Sequence, residues 1–377
     1  MANIGIDIRL LGVKHGGIGR YTQELLLGLL SLQTEHCFTC FYNKDLEAEP
    51  VFVQLQKHSQ VKLVECNIRH YSWREQWHLA NIIDKEKLDL IHFPNFNVPI
   101  KLKTPFVVTI HDMVHHKISG AKKSKLIYFL AYKKVIESAA KNAKKIITVS
   151  EVSKKEISEY LNVPMDKIFV TYEGASLETE VTEDDLTSVK NKYYLRRPYF
   201  LFVGVLERKK NIVGLTRAFD YFIEKYHADM DLVLAGKVDP HYPKIKHSAL
   251  DIKNRNRLVF TDYVSEKDLS ALFYGASAFV SASVNEGFGL PGLEAMKFGL
   301  PLLVSNTPVF NEIYDNAAIY FNALDTKDIA KAMDLVSKDA KFQEEISRKS
   351  FQRSQFFSWE KCAQETLALY NKTLAKQ

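Results

Sequence analysis

Short apolar segments rich in β-branched and aromatic residues alternate with segments of helical periodicity along almost the whole chain. Strands that are separated by helices do not pair as hairpins, so the alternation predicts parallel sheets with helices on both faces. The pattern runs from residue 4 to residue 171 and starts again at residue 200. Residues 177–190, between the two runs, are rich in Glu, Asp and Thr and predict a linker.

The fold class that follows is α/β, with two Rossmann-like, doubly wound parallel-sheet domains that face each other across a cleft. We place the N-terminal domain at residues 1–180 and the C-terminal domain at residues 190–355. A chain of 377 residues is long enough for two such domains, each with its own core. Ligands of doubly wound sheets bind beyond the carboxyl ends of the strands, so residues that follow strands are the candidates for chemistry.

Composition excludes several classes of protein. No run of about 18 apolar residues occurs, so no transmembrane helix is predicted. Asp7 and Arg9 interrupt the first apolar run too early for a secretory signal, and we expect a cytoplasmic protein. The four cysteines are too few for a disulfide scaffold.

The net charge of +6 is modest, but its distribution is uneven. Residues 121–145 hold eight lysines and one acid, Glu137, interleaved with apolar residues at helical spacing. This pattern predicts a basic amphipathic helix. Its lysines either form a solvated face on a helix packed against the core or contact an anionic membrane surface. No nucleic-acid-binding motif occurs, so no nucleic acid partner is expected.

Residues 282–299, ASVNEGFGLPGLEAMKFG, predict a turn between a strand and a helix. Pro291 suits the first turn of a helix, where no backbone donor is needed, and Gly299 suits the end of that helix. Gly287 and Gly289 then lie just before a helix N-terminus. The free N–H groups and the dipole at this end favour an anion, most simply a phosphate.

Two glutamates belong to the same segment. Glu286 lies in the turn, and Glu294 lies eight residues later, about one turn into the helix. Both carboxylates can therefore flank one ligand, and carboxylates accept hydrogen bonds from the hydroxyl groups of a sugar or a ribose.

The same segment is open to other interpretations. Gly287 to Gly292 reads G-x-G-x-x-G, and Glu312 follows 20 residues later, as in a dinucleotide-binding fingerprint. The next predicted strand ends in Asn306 and not in an acid, which disfavours a nicotinamide site. A purely structural connection between strand and helix is the third possibility.

Three adjacent cations form the second candidate segment. Arg208, Lys209 and Lys210 follow a strand that ends at Gly204 and precede a helix that begins near Asn211. A cationic cluster beyond the carboxyl end of a strand can clamp a diphosphate. The alternative is a solvated basic turn.

Two weaker candidates lie in the first half of the chain. Gly16, Gly17 and Gly19 follow the first strand and precede the first helix, so a ligand could approach the backbone closely. His111 and Asp112 end an apolar strand, where functional side chains are expected. A structural loop and a local His–Asp hydrogen bond are the respective alternatives.

Two short motifs are not expected to bind metal. Cys37 and Cys40 form a C-x-x-C in an alternating strand, so their side chains face opposite sides. Asp229 and Asp231 form a D-x-D that precedes a strand and does not follow one. We therefore predict no metal site.

Taken in order, these segments resemble the retaining glycosyltransferases of family GT4, which have two Rossmann-like domains in the GT-B fold. The resemblance covers nearly the whole chain. Its most specific part is the E-x7-E element from Glu286 to Glu294. The supporting segments are GGIGRY at 16–21, TIHD at 109–112, TVSEVSK at 148–154 and VGVLERKKN at 203–211.

The resemblance implies a role for each matching residue on the donor side. Glu286 would contact hydroxyl groups of the donor sugar near the reacting carbon, and Glu294 would hold the nucleotide ribose. Lys210 would neutralise the diphosphate leaving group. The backbone that would meet the sugar and the diphosphate is that of Gly287, Phe288, Gly289 and Leu290.

It also implies roles in the N-terminal half. His111 would contact the donor sugar, and the loop that holds Gly17 and Gly19 would lie beside the diphosphate and the acceptor. Many relatives read E-P-R-K-N where this chain has Arg208 in place of proline and Lys209 in place of arginine. An ammonium group does not replace a guanidinium fork on a diphosphate without a change in geometry.

The function implied is a retaining hexosyltransferase, with mannose from GDP-mannose as the favoured donor. The acceptor would be a glycan or a lipid-linked glycan in cell-surface polysaccharide or lipopolysaccharide synthesis, and a lipid-linked acceptor would place the enzyme on the inner face of the membrane. No cofactor and no essential metal are expected. Residues 356–377 would form a helix that crosses back to the N-terminal domain. A non-catalytic partner of the same fold and a nucleotide-sugar epimerase are the alternatives.

Overall fold

The computed structural model describes residues 1–12, 15–113 and 126–375. The chain forms two compact units. The first unit contains Met1–Gly174 together with Ser358–Gln377, and the second unit contains Ala175–Phe357. The second unit is thus a continuous segment, whereas the first unit is assembled from both ends of the chain.

The described part of the first unit has a sheet of seven parallel strands in the order β3-β2-β1-β4-β5-β6-β7. The chain moves from β1 outward to β3 and then returns to β4 on the other side of β1, so the order reverses between β1 and β4. The strands are β1 (Asn3–Asp7), β2 (Cys37–Tyr42), β3 (Val61–Glu65), β4 (Leu90–Phe93), β5 (Phe106–Thr109), β6 (Lys145–Thr148) and β7 (Ile168–Val170).

Helices accompany these strands, as the alternating pattern predicts. A π-helical turn at Glu75–Leu79 leads directly into the third of them. The described helices before residue 175 are α1 (Gly16–Ser31), α2 (Pro50–Lys57), α3 (Ala80–Lys85), α4 (Leu126–Asn142) and α5 (Glu151–Leu161).

The prediction of a glycine-rich loop before the first helix is wrong, because the helix begins earlier than expected. Helix α1 begins at Gly16, so Gly17 and Gly19 lie in its first turns. A Cβ atom on Gly19 would lie 2.0 Å from the carbonyl oxygen of Gly12. Close packing of the preceding loop on the helix therefore requires glycine at position 19.

The second unit, all of which is described, has six parallel strands in the order β10-β9-β8-β11-β12-β13. The order reverses between β8 and β11. The strands are β8 (Tyr199–Val203), β9 (Asp231–Ala235), β10 (Leu258–Asp262), β11 (Ala278–Ser281), β12 (Leu302–Ser305) and β13 (Ala318–Phe321). The helices are α6 (Glu183–Lys192), α7 (Ile212–Tyr226), α8 (Ile245–Ala249), α9 (Glu266–Tyr274), α10 (Leu290–Lys297), α11 (Pro308–Tyr314), α12 (Thr326–Lys338) and α13 (Ala340–Ser354).

The predicted linker at 177–190 is largely helical, which corrects the sequence interpretation. Thr182 caps α6, and its side chain and that of Asp185 form a reciprocal capping box. The acidic residues at 183–185 occupy the first helical turn, where negative charge interacts favourably with the helix dipole. The polar composition that suggested a linker is thus a helix N-terminus.

The last helix, α14 (Trp359–Leu374), packs against α1 in the first unit. The two helices approach closely, because a Cβ atom on Gly28 would lie 2.8 Å from the Cβ atom of Ala363. The Tyr370 hydroxyl is also 2.6 Å from Nδ1 of His92 on β4. Helix α14 is therefore an integral part of the first unit.

Helix α4 carries only part of the basic segment, because residues 114–125 lie outside the described residues. Its C-terminal half packs on the core through Ile136, Ala139 and Ala140. Near its start, Phe129 and Leu130 are 40% and 54% exposed, so these two apolar residues of the amphipathic pattern do not pack fully on the core. None of the described helices is both long and apolar enough to span a bilayer.

A series of hydrogen-bonded polar side chains is buried in the first unit. The hydroxyl groups of Tyr21 and Thr109 are 3.1 Å apart, and Thr109 Oγ1 lies 2.7 Å from Nε2 of His92. Burial, together with the nearby His111, lowers the pKa of His92 to about 3. His92 is therefore neutral at ordinary pH and can both donate and accept a hydrogen bond.

We expect His92→Gln to change the pH dependence of the stability of the first unit. Between the unfolded pKa near 6.5 and the folded pKa of about 3, only the unfolded state binds this proton. The free energy of unfolding should therefore fall with decreasing pH, by up to about 1.4 kcal/mol per pH unit from this group. The glutamine variant should lack this contribution.

Urea denaturation followed by tryptophan fluorescence measures the effect, since Trp73, Trp77 and Trp359 all belong to the first unit. The raised pKa of His111 acts in the opposite direction, but it is present in both proteins. Equal pH slopes in the wild type and the variant between pH 7 and pH 5 would contradict the prediction.

Candidate active site

Two loops meet at the carboxyl edge of the second sheet. One loop follows β8 and holds residues 204–211, and the other follows β11 and holds residues 282–289. Since β8 and β11 are neighbours, both loops leave the sheet where the strand order reverses. The backbone N–H of Val284 donates to the carbonyl of Lys209 at 2.8 Å and joins the loops.

The centre of this site is an ion pair. Nζ of Lys210 lies 2.5 Å from Oε1 of Glu286, and the two side chains are only 14% and 11% exposed. Burial raises the pKa of Glu286, but the charges of Lys210 and Lys209 and hydrogen bonds from Lys210 and Ser283 outweigh it, so the pKa is lower than usual. Glu286 is thus an ionised carboxylate, suited to accept hydrogen bonds and not to donate a proton.

The three predicted cations are not equivalent. Nζ of Lys209 lies 3.4 Å from Oε1 of Glu207. The charge of Lys209 also lowers the pKa of Glu286. The side chain of Arg208 is exposed and forms no ion pair with any described residue. The structure therefore brings Lys209 and Lys210 to Glu286 and leaves Arg208 at the surface.

Asn211 fixes the turn that carries these lysines. Its backbone is left-handed, with φ of 51°, and its side-chain amide donates to the carbonyl of Ala323 at 2.7 Å. A Cβ atom on Gly214 would lie 2.5 Å from Oδ1 of Asn211. Asn211 thus ends the short helical turn at Arg208–Lys210, and its close packing on Gly214 fixes the direction in which α7 starts.

The glycine-rich turn is shaped by a tyrosine. Gly289 caps α10 with φ of 102°, and the hydroxyl of Tyr314 donates to its carbonyl at 2.7 Å. Added Cβ atoms on Gly289 and Gly292 would lie 2.3 Å and 2.2 Å from that hydroxyl oxygen. Packing against Tyr314 therefore accounts for two of the three glycines in the G-x-G-x-x-G pattern.

Tyr314 also lies within electrostatic reach of both predicted glutamates. Burial raises its pKa well above the usual value, and the charges of Glu286 and Glu294 raise it further. Its hydroxyl therefore stays protonated. Glu294 is buried on α10, one turn after the start of that helix.

Sequence reasoning missed Tyr314 because it missed α11 altogether. A signal was present, since Thr307 followed by Pro308 is a typical cap and first residue of a helix, and Thr307 does cap α11. The spacing of Gly289 and Gly292 was a second signal. Two glycines three residues apart lie on one face of a helix and indicate a close neighbour.

The remaining predicted residues of this turn have different roles. Phe288 is buried and packs edge-on against Phe357, with ring centroids 5.9 Å apart. Gly287 is buried beside it, and Leu290 begins α10. The Phe288 side chain thus anchors the turn.

His111 belongs to the first unit, at the end of β5 as predicted. Its Nε2 donates to the carbonyl of Pro94 at 2.9 Å, and its Nδ1 lies 3.5 Å from Oε1 of Glu173. Burial lowers the pKa of His111, but the hydrogen bond and charge of Glu173 and the Pro94 carbonyl outweigh it, so the pKa is higher than usual. Sequence reasoning missed Glu173, which follows β7.

The D-x-D motif is engaged in ion pairs. Asp231 begins β9, and Asp229 lies 2.8 Å from Nε of Arg197 and 2.7 Å from a guanidinium nitrogen of Arg257. Among residues 1–12, 15–113 and 126–375, no group of three or more His, Cys, Asp or Glu side chains is placed to hold a metal ion.

Two family models match consecutive parts of the chain. The model of Glycosyltransferase Family 4 matches residues 15–179, and that of glycosyl transferases group 1 matches residues 184–353. An uncharacterized glycosyltransferase of Methanocaldococcus jannaschii is 30% identical over 312 residues, which are 77% of this chain and 76% of the relative. The chain belongs to glycosyltransferase family 4.

Two further matches extend over almost the full length of this family 4 glycosyltransferase. The O-antigen chain mannosyltransferase B of Escherichia coli is 26% identical over 94% of this chain and 95% of its own. The crystal structure of a glycosyltransferase from Rickettsia africae has a TM-score of 0.74 at 18% identity, over 100% of this chain and 99% of its own. The predicted fold class, two Rossmann-like domains of the GT-B type, is confirmed.

In this glycosyltransferase we expect Gly292→Ala to destabilise the second unit. The methyl group would lie 2.2 Å from the Tyr314 hydroxyl, so either the tyrosine or α10 must move. Such overpacking costs about 1–3 kcal/mol. Calorimetric melting should show a lowered transition.

Gly17→Ala is the matched control, because Gly17 is also helical and nothing lies within 4 Å of an added Cβ atom there. That variant should keep its transitions or gain slightly in stability. A Gly292→Ala protein as stable as the control would show that Tyr314 does not constrain the turn.

Proposed function

We propose that the chain is a retaining mannosyltransferase which transfers mannose from GDP-mannose to a glycan or lipid-linked acceptor. The reaction would serve the synthesis of a cell-surface polysaccharide such as an O-antigen, in the cytoplasm. The observation that carries the proposal is the buried pair of Lys210 and Glu286 at the point where the strand order of the second sheet reverses. Family membership and the E. coli mannosyltransferase relative support it.

The chemistry follows from the charges of the site. As the bond between the sugar C1 and the diphosphate oxygen breaks, Lys210 and Lys209 stabilise the negative charge that develops on the leaving group. The acceptor oxygen forms the new bond to C1 from the same face. Because the new bond forms on the face that the diphosphate leaves, the anomeric configuration is retained without a protein nucleophile. The proton of the acceptor hydroxyl passes to an oxygen of the departing diphosphate.

Glu286 has a positioning role in this scheme. Its lowered pKa keeps it ionised, so it accepts hydrogen bonds from the hydroxyl groups of the donor sugar. Glu294, buried on the adjacent helix, would hold the ribose. Lys209 would take the place of the arginine found in many relatives, since it acts on Glu286 whereas Arg208 is exposed.

The donor and the stereochemistry are tested by direct assay. Purified protein is given GDP, GDP-mannose, UDP-glucose, UDP-galactose or NAD, and melting shifts and sugar release are measured. We expect stabilisation by GDP and GDP-mannose and release of mannose with the α-configuration, read by proton NMR. Inverted product would overturn the retaining mechanism, and a shift with another nucleotide alone would overturn the choice of donor.

Epimerisation of the nucleotide sugar or complete silence in the same assay would favour one of the alternatives. In an epimerase the sugar would stay on the nucleotide in changed form. A non-catalytic partner would show neither binding nor turnover.

We expect Glu286→Gln to bind GDP more tightly while transfer falls. Without its carboxylate partner, Lys210 is free for the diphosphate, and one negative charge is removed from the phosphate site. A gain of about tenfold in GDP affinity corresponds to roughly 1.4 kcal/mol. Transfer should fall by about 100-fold, because the sugar hydroxyl groups lose an ionised acceptor.

Lys210→Met should lower both GDP affinity and transfer. Glu345→Gln is the matched control, since it removes the same charge from an exposed position on α13, where Glu345 pairs only with Lys349 among the described residues. Calorimetric GDP titrations measure the affinities. Weaker GDP binding by Glu286→Gln would contradict the partner exchange.

We further propose that α4 attaches the first unit to an anionic membrane surface. Phe129 and Leu130 are exposed apolar side chains, and Lys133 and Lys134 are exposed on the next turn. Apolar side chains that enter the interface next to lysines that meet anionic headgroups form a typical peripheral anchor. Such a position suits a lipid-linked acceptor.

Sedimentation with vesicles tests the anchor. At low salt, phosphatidylcholine vesicles that contain phosphatidylglycerol should retain the protein, and phosphatidylcholine alone should retain much less. Phe129→Ser with Leu130→Ser should abolish retention. The matched control is Phe351→Ser with Leu324→Ser, two exposed apolar residues of the second unit, which should retain binding. Equal retention of both double variants would exclude α4 as the anchor.

A further inference from the structure

A small polar pocket lies at the carboxyl edge of the first sheet, between β1 and β4. Asp7 at the end of β1, and Pro94, Asn95 and Asn97 after β4, form part of its wall, and His70 closes another side. The strand order of this sheet reverses between the same two strands. This is the position where doubly wound sheets bind ligands.

The pocket contains polar groups that the described chain does not satisfy. Asn97 is only 3% exposed, yet neither its Nδ2 nor its Oδ1 has a hydrogen-bond partner among the described residues. Nε2 of His70 is also buried without a described partner. Buried amides are nearly always hydrogen-bonded, and an unpaired one costs about 1–3 kcal/mol. These groups therefore indicate a ligand.

The charges around the pocket limit what that ligand can be. The Arg9 guanidinium is already held by Asp7 at 2.7 Å and by Glu75 at 2.9 Å. His70 Nδ1 also lies 3.2 Å from Glu75. The two carboxylates match the cations around them, so the cluster has no net positive charge to attract a phosphate or carboxylate. An amide offers one acceptor and two donors, and this set complements a hydroxyl group, which donates once and accepts twice.

The size of the pocket agrees with such a group. It offers about 10 Å³ to the centre of a water-sized group, which is the room that one water molecule or one hydroxyl group occupies. Pro94 connects the pocket to His111 of the same unit, because its carbonyl accepts the hydrogen bond from His111.

We propose that Asn97 and His70 bind one uncharged hydroxyl group of the acceptor sugar and thereby select which sugar the enzyme extends. The proposal rests on the proposed transferase function, since it assigns the acceptor side of that reaction. The acceptor end recognised here is a neutral glycan. A phosphorylated sugar would meet the carboxylates of Asp7 and Glu75, whose cationic partners are already engaged.

Ligand-observed saturation-transfer NMR on the full chain tests the proposal without a donor. The probes are the methyl glycosides of mannose, glucose, galactose and N-acetylglucosamine, followed by the monodeoxy analogues of the glycoside that binds best. In the wild type, removal of one particular hydroxyl should weaken binding about tenfold or more. Asn97→Ala should bind the parent glycoside as weakly as the wild type binds that deoxy analogue. The variant should then bind the parent and the deoxy analogue equally well.

Two further variants guard against a simple folding defect. Asn97→Asp keeps the shape of the side chain but adds a charge and removes both donors, and it should also lose the preference. Asn142→Ala removes an exposed amide of the same unit and should behave as the wild type. GDP titration of each variant should give an unchanged affinity, which confirms an intact second unit.

The outcomes are distinct. The proposal would be overturned if Asn97→Ala bound every glycoside as well as the wild type does. It would also be overturned if each deoxy analogue weakened binding equally in both proteins. A structural water would then be the occupant of the pocket. Tighter binding of a sugar phosphate than of its parent would overturn the choice of a neutral acceptor. Absence of GDP binding with normal glycoside binding would instead overturn the proposed donor chemistry.

Discussion

The ion pair of Lys210 and Glu286 determines how the second unit builds its site. Two charges that are largely removed from water are tolerated only when they remain matched, and either one alone would be strongly unfavourable. The loops after β8 and β11 must therefore stay together, and the backbone bond between Val284 and Lys209 holds them in register. A buried ion pair is weak evidence for stability, so its contribution here is to hold the two loops together and not to raise the stability of the unit.

Around this pair the second unit uses close packing and not flexibility. Tyr314 packs so closely on Gly289 and Gly292 that neither position has room for a side chain. The same tyrosine hydroxyl holds the carbonyl of Gly289 and fixes the start of α10. The glycine-rich turn is thus fixed by its packing, and a fixed turn is what a preorganised electrostatic site needs.

The sequence predicted most elements because their periodicity is strong. The helix predicted to begin near Asn211 begins at Ile212, and the helix predicted to hold Pro291 in its first turn begins at Leu290. One error is local and the other is tertiary. The polar segment before β8 is a helix whose capping box, Thr182 with Asp185, was overlooked in the sequence. The first turns of α1 need glycine because a loop packs on them.

The same limit applies to the candidate site. Glu286 and Lys210 could be found from their places after two strands, since parallel strands deliver such residues to one edge. Tyr314 and Glu173 are contributed by distant segments, and their proximity depends on packing that no local pattern contains. Asn97 was overlooked because an amide is informative only once its lack of a partner is known.

The return of α14 to the first unit has a consequence for the order of events during synthesis. All residues of the second unit leave the ribosome before α14 does, so that unit can fold while the first unit still lacks one of its helices. Until then, the face of α1 around Gly28 is uncovered and His92 lacks its contact with Tyr370. The part of the chain that is made first is therefore completed last.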